Sequence, residues 1–482
     1  MRQRIVISVV HTFTIFLIFI IIASVAYSGP GNDVRKARVR RNIPNQAIIR
    51  MGPGKSVIKY MREIKGSIVK SIPGRNTYLI TFPDSLAVDK VVGRLHRKGD
   101  VILAQPNYVL NLPEVENLDD FSPDGDKPVY SAGTSPGPYY GQQAAGGSGI
   151  DSAGLLATGE NVVAAIIDNG IDFTHPLFDS SFENNGYDFV DNDSNASEES
   201  GDMFGHGTFV SGLVKLIAPD CKLVPLRAFN ESGVGTCFDI SDAIYRAISD
   251  SVDIINMSFS TDQSDTLLAE AVTDARLAGI TLVSSSGNDS SHLATYPAAY
   301  TGVIAVSAID STEYLTSWSN HGSYIDVCAP GKDVYSSLPG QYQWGTWSGT
   351  SFAAAQISGI CALIIELRPN YGGSDVDSHV RLTARKNLLW GTVTPPDSSY
   401  GYGCGNPYRA TLYLRRGDVD GSGLVDSLDI DYLSDYINKG GPAPIPIYQL
   451  GDVNCSGTIN TLDVSYIVNY LYSGGPAPGC IY

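Results

Sequence analysis

Between about residues 150 and 414 the chain keeps alternating between short apolar runs and stretches with helical spacing. The runs are NVVAAII (161–167), KLVPLRAF (222–229), VDIINMS (252–258), GITLVSSS (279–286) and GVIAVSAI (302–309). The helical stretches include DISDAIYRAIS, DTLLAEAVTDARLAG and, later, SFAAAQISGICALIIEL. Short apolar runs alternating with amphipathic helices bury both faces of a sheet, which predicts an α/β fold: a mostly parallel sheet with helices on both faces. Ligands of such sheets bind beyond the carboxyl ends of the strands. The residues that follow each run are therefore where chemistry is expected.

Four such places stand out. AAIIDNGID puts Asp168 at the end of a buried run, where an isolated carboxylate needs a partner. FGHGTFVSGLV sets His206 between two glycines at the start of a helix, and SSSGNDSS places Asn288 in a tight polar turn. WSGTSFAAA starts the longest helix with Ser351, where the helix N-terminus favours developing negative charge. Singly, each reads as a cap, a turn or a packed polar residue. Jointly they supply acyl transfer: Ser351 as nucleophile, His206 as its base, Asp168 to orient and charge-balance the imidazole, and Asn288 to donate to an oxyanion.

With these motifs in this order, the chain resembles the subtilisin-like serine peptidases, or subtilases, over about 141–414. The resemblance rests on DNGID, HGTFVSG, SSGN and GTSFAAA, in the order Asp, His, Ser that the family uses; YGYGCGNPYRA (400–410) is similar to its closing segment. It implies a serine endopeptidase acting on protein or peptide substrates through an acyl-enzyme. It also implies a cleft whose one edge is Ser258, Phe259 and Ser260 and whose opposite wall is Ser284, Ser285, Ser286 and Gly287. Substrate would then bind by strand addition. Three positions depart from the family: Phe352 where Met usually follows the Ser, Ala355 where Pro is usual, and Ser260 where Gly is usual. None removes a reacting group; they bear on packing, rate and the pocket mouth.

Charge divides the chain. Residues 29–112 hold 16 Lys and Arg against 5 Asp and Glu, whereas 113–482 hold 15 against 45. An acidic body repels phosphates, which argues against nucleic acid as partner. The unit at 45–112, with strands in QAIIRM, TYLITF and DVILAQPNYVL and helical spacing near 55–65 and 85–98, resembles the α+β propeptide of these enzymes, an inhibitor and folding chaperone. Its opposite charge suits binding to the body. The Pro-, Gly- and Asp-rich stretch 113–140 reads as an exposed linker carrying the processing site. At the N-terminus, Arg2 and Arg4 precede a long apolar run and then Ser24, Ala26 and Ser28, which reads as a signal peptide over 1–28 and a secreted or cell-surface protein. The run is also long enough to stay as an anchor if uncut. Export permits disulfides. Of seven Cys, 328 and 361 read as core, and Cys221–Cys237 and Cys455–Cys480 are the suggested pairs, with at least one thiol left free.

The C-terminus repeats with a period of 34: GDVDGSGLVDSLD from Gly417 and GDVNCSGTINTLD from Gly451. Both contain twelve-residue loops resembling EF-hand loops. Calcium ligands would be Asp418, Asp420, Ser422, Leu424 (through its carbonyl), Asp426 and Asp429 in the first. In the second they would be Asp452, Asn454, Ser456, Thr458 (carbonyl), Asn460 and Asp463. Asp at the twelfth position is typical of dockerins, so 416–482 resembles a small, α-helical, calcium-binding dockerin. Such a domain implies a cohesin-bearing partner, with Ser427-Leu428 and Thr461-Leu462 at the recognition positions. A further acidic loop, Asp188, Asp191 and Asp193, fits either calcium or a solvated surface. The rival readings are a surface-attached binding protein whose peptidase domain is inactive, and a narrow processing enzyme for one scaffold-bound partner.

Overall fold

The computed structural model describes residues 41–114, 129–130, 137–142, 153–154, 156–184, 186–340, 343–412, 416–420, 425–444, 448–476 and 478. The signal peptide, most of the 115–136 stretch, Ser422, Leu424 and Cys480 lie outside them.

The N-terminal unit has strands β1 (Asn42–Met51), β2 (Ser67–Ile72), β3 (Thr77–Thr81) and β4 (Val101–Asn111), with helices Ile58–Ile64 and Val88–His96. The antiparallel order is β2-β3-β1-β4. Ile49, Ile64, Ile80, Val91 and Leu95 form its separate core. Sequence reading missed β2, an edge strand whose Ile68 and Val69 stay exposed.

The body follows β5 (Val129–Tyr130). Its parallel strands are β6 (Val163–Asp168), β7 (Tyr187–Asp188), β8 (Lys222–Arg227), β10 (Ile254–Met257), β11 (Thr281–Ser285), β12 (Val303–Ile309) and β13 (Val327–Pro330); β9 (Val234–Thr236) stands outside that sheet. The sheet order is β13-β12-β11-β10-β6-β8-β7, and every pairing in it is parallel. All five predicted runs became strands. Antiparallel β14 (Val334–Leu338) and β15 (Gln343–Trp347) join β5 in a second small sheet.

Two pairs of helices flank the parallel sheet: His206–Ile217 with Thr350–Leu367, and Cys237–Ser249 with Thr266–Leu277. Thr350–Leu367 is apolar all round because it is a core helix. It has the length and hydropathy of a membrane span, but 89% of that window is buried inside the protein.

Cys221 and Cys237 are both free thiols, so the suggested pair does not form. Cys221 sits just before β8, while the Cys237 thiol donates to Asp265 Oδ1 at 2.7 Å. Cys328, Cys361 and Cys404 are buried free thiols, and Cys455 is disulfide-bonded.

The basic unit is tied to the acidic body. Strand β4 pairs antiparallel with β9, so the N-terminal sheet runs on into the body. Lys70 Nζ meets Asp239 at 2.6 Å with both side chains largely covered, while Arg50 pairs with Glu270 and Arg75 with Asp274. A covered pair broken on one side leaves a stranded charge; a wet pair does not. Lys70→Ala should therefore weaken the association by about 3 kcal/mol, and Arg75→Ala by less than about 1 kcal/mol. The check is the urea concentration at which the N-terminal unit leaves the body of a Ser351→Ala chain.

Candidate active site

The carboxyl ends of the parallel strands gather the four predicted residues. Asp168, the last residue of β6, is buried, and its Oδ1 accepts from the Asn169 amide at 2.8 Å. The same oxygen lies 2.7 Å from His206 Nδ1. His206 opens its helix. Asn169 holds that helix end in place, accepting from the Gly207 amide at 2.9 Å and donating to the Met203 carbonyl at 2.7 Å. Gly207 is required by close approach, since a Cβ there would stand 1.9 Å from the Gly170 carbonyl oxygen. Glu198 accepts from the Gly205 and Thr208 amides at the same helix N-terminus. Burial pushes its carboxyl up to about 8.

Ser351 and Asn288 meet from the other side. Asn288 Oδ1 accepts from the Thr350 amide at 3.0 Å and the Thr350 hydroxyl at 2.8 Å, which turns its NH2 toward the centre. Gly287 before it has φ +99°, and a Cβ there would lie 2.4 Å from Asn320 Nδ2. Ser351 Oγ lies 3.2 Å from the Ser258 carbonyl, and Ser258 Oγ donates to the Ser351 carbonyl at 3.2 Å. Ser285 Oγ donates weakly to the Phe259 carbonyl at 3.5 Å, so the two predicted cleft walls touch below the site. Ser284, Ser285 and Ser286 are fully buried, with Ser286 bonded to the Asn320 carbonyl, so their side chains support the wall from behind.

Phe352 accounts for the departure beside Ser351. It is fully buried among His206, Phe209 and Trp347, with ring centroids 5.6, 4.6 and 5.4 Å away. The Trp347 and His206 rings stand nearly perpendicular, with centroids 5.7 Å apart. An aromatic floor thus replaces the usual Met and confines the imidazole. Ala355 is buried within the unbroken helix.

One residue at the centre was not anticipated. The stretch from 113 was expected to be an exposed linker, but Pro113 and Glu114 are buried in the cleft. Tyr139 is buried too, its hydroxyl donating to the Gly212 carbonyl at 2.6 Å. The extended chain of β4 continues past Asn111 instead of leaving the body. Glu114 Oε2 lies 3.0 Å from His206 Nε2 and accepts from Ser351 Oγ at 3.1 Å; Oε1 accepts from Asn288 Nδ2 at 3.2 Å. Among the described residues Ser351 makes no direct bond to His206; both bond to this carboxylate. A linker's composition carries no signal for such a contact.

Burial opposes a charged imidazole, but the Asp168 and Glu114 carboxylates outweigh it and push His206 up to about 10. A raised histidine stabilises its surroundings fully below its ordinary value near 6.5, and that stabilisation is lost as pH rises through about 10.

The acidic loop before His206 already holds a cation. Arg227 is buried and pairs with Asp188, with Asp191 at 2.7 Å and with Glu199 at 3.1 Å. In the C-terminal repeat, carboxylate oxygens of Asp418, Asp420 and Asp429 lie within 4.8 Å of one another. Asp418, Asp429, Asp452 and Asp463 are buried. Asp429 and Asp463 also close their loops, accepting from the Asp426 and Asn460 amides at 2.8 and 2.9 Å. Asp426 and Asn460 in turn cap the following helices Ser427–Lys439 and Thr461–Ser473. Buried carboxylates gathered this closely suit a divalent cation with oxygen ligands.

Comparison with known proteins agrees with this arrangement. Residues 159–403 match the Subtilase family, 416–472 the Dockerin type I domain, and 32–107 the Fervidolysin N-terminal prodomain. The chain is 32% identical over 341 residues to a thermophilic serine proteinase of Bacillus sp. (strain AK1), an alignment spanning 68% of this chain and 76% of that one. It is 33% identical over 261 residues to subtilisin of Bacillus pumilus, spanning 52% and 89%. Among solved structures its fold is similar to fervidolysin from Fervidobacterium pennivorans, a keratinolytic enzyme related to subtilisin, with a TM-score of 0.64 at 20% identity, over 77% of this chain and 61% of that one. The chain belongs to the subtilase family: it is a serine endopeptidase preceded by a fervidolysin-like prodomain and followed by a type I dockerin domain.

The His206 environment makes a direct prediction. In the Ser351→Ala precursor, the His206 imidazole should stay doubly protonated from pH 6 to 9 and titrate near 10. Nitrogen chemical shifts of 15N-histidine-labelled protein read this; titration near 6.5 would show that Glu114 is not against the ring.

Proposed function

We propose that the protein is a secreted serine endopeptidase, made as a proenzyme, that hydrolyses peptide bonds through an acyl-enzyme on Ser351. The observation that carries this reading is the buried Asp168–His206 hydrogen bond, with Ser351 and Asn288 converging on the far side of the ring. A substrate would add as a strand between Ser258–Ser260 and β9, the two edges that β4 and its extension now occupy. Once that cleft is free, His206 takes the Ser351 proton as Oγ attacks the carbonyl carbon, and the imidazolium then passes the proton to the leaving amine. Asp168 holds the ring and balances its charge. Asn288 donates to the oxyanion, a contact whose loss costs about 10²–10³ in turnover in subtilisin, a relative of this chain. Water activated by His206 releases the acyl group.

The prodomain is the first substrate in this reading, cut within 112–140. A Ser351→Ala chain made in a protease-free host should therefore remain full length, whereas the parent shortens on incubation. Mature-length Ser351→Ala protein on a denaturing gel would rule out self-cleavage.

The dockerin domain would act as the tether. Asp418, Asp420, Asp426 and Asp429 in one loop, and Asp452, Asn454, Ser456, Asn460 and Asp463 in the other, would hold calcium, with Ser422 and the carbonyls of Leu424 and Thr458 completing the sets. Bound calcium would neutralise the buried carboxylates and fix the loops. Leu428 and Leu462 are 60% and 65% exposed at the starts of the two helices, which supports their use toward a cohesin-bearing partner outside the cell. EDTA should lower the melting temperature of the C-terminal transition in the full chain, and excess calcium should restore it. A melt unchanged by EDTA counts against both loops.

A further inference from the structure

The segment that fills the cleft does so in two different ways. Up to Leu112 it behaves as a bound strand: Val109, Leu110 and Asn111 pair with Thr236, Gly235 and Val234, the Leu112 amide donates to the Gly233 carbonyl at 2.9 Å, and Asn111 bridges Ser260 on the opposite edge. Leu110 and Leu112 are buried. From Pro113 the main chain turns, and what reaches the catalytic centre is a side chain. The Glu114 carboxylate spans His206, Ser351 and Asn288, and it is itself only 4% exposed. The space it enters exists because residue 349 is glycine: a Cβ there would stand 2.1 Å from Glu114 Oε1.

We propose that Glu114 is a built-in inhibitor of the catalytic centre, its side-chain carboxylate taking both the oxyanion position and the place of the Ser351–His206 hydrogen bond. This rests on the peptidase reading above. The chemistry suits the role. A carboxylate carbon is a poor electrophile because both oxygens share the negative charge, so Ser351 gains nothing by attacking it. The charge is matched by the imidazolium it contacts, and a buried charge pair of this kind is hard to break from one side. With Oε2 accepting the Ser351 proton and facing Nε2, His206 has no lone pair directed at Ser351. The first cleavage therefore waits until Glu114 withdraws, and covering of the cleft by the strand is only part of the inhibition. The processed enzyme, by the same geometry, should bind an extended apolar strand that ends in a free side-chain carboxylate.

The test compares full-length parent, Glu114→Gln and Glu114→Ala chains for labelling of Ser351 by a fluorophosphonate, read as the initial rate in the unprocessed band. Both variants should label at least about 10-fold faster than the parent. Equal rates in all three overturn the proposal, and so does an increase confined to Glu114→Ala, since bulk rather than charge would then be the block. A second arm needs no variant to fold: N-acetyl-Tyr-Val-Leu-Asn-Leu-Pro-Glu-amide should inhibit the processed enzyme at least about 10-fold better than the peptide ending in Gln-amide. Equal inhibition overturns the proposal. Absence of labelling in every chain, the processed one included, overturns the peptidase reading and the proposal with it.

Discussion

The hydrogen bond between Asp168 and His206 is the constraint around which this molecule is arranged. It is buried on both sides, and a carboxylate and an imidazole are tolerated there only because each completes the other. To form it, the end of a central strand must meet the first residue of a helix, with Asn169 and the close backbone approach that Gly207 allows fixing their geometry. The parallel sheet delivers the other partners to the same edge. Strand β10 leads into the Ser258 edge, β11 into Asn288, and the core helix that covers the sheet carries Ser351 in its first turn. Phe352 closes the floor, so the departure from the family's usual Met changes what the ring rests on and leaves Asp168 and His206 in contact.

The same edge explains the prodomain. Strand addition needs a free backbone edge, and the body offers two, at β9 and at Ser260. Strand β4 uses both, so the N-terminal unit is continuous with the body's hydrogen bonding as well as joined by ion pairs. Lys70 against Asp239 gives the charge asymmetry of the sequence a physical meaning. The basic unit faces the acidic helices that flank the sheet.

What was legible in the sequence was whatever depends on local pattern. The apolar runs became β6, β8, β10, β11 and β12 with ends shifted by a few residues, and the four strand- and helix-end residues met as their order implied. The tandem loops were visible because the spacing of their polar residues is short-range. What was hidden depends on contacts between distant segments. Strand β2 alternates too weakly, with exposed Ile68 and Val69, to announce itself. Strands β14 and β15 exist by pairing with each other. Arg227 reaches Asp188, Asp191 and Glu199 through the fold, which no spacing rule reports. Glu114 lies in a stretch whose Pro, Gly and Asp content reads as exposed, yet the register of β4 carries it into the centre.

The central claim is that Ser351, with His206 and Asp168, forms an acyl-enzyme once the cleft is cleared. The most direct measurement is the pre-steady-state release of p-nitrophenol from an activated ester by the processed protein. The account predicts a burst approaching one equivalent per chain, followed by slower steady turnover, with no burst from a processed-length Ser351→Ala chain. Full steady turnover with no burst, or a burst that survives loss of Ser351, would contradict it.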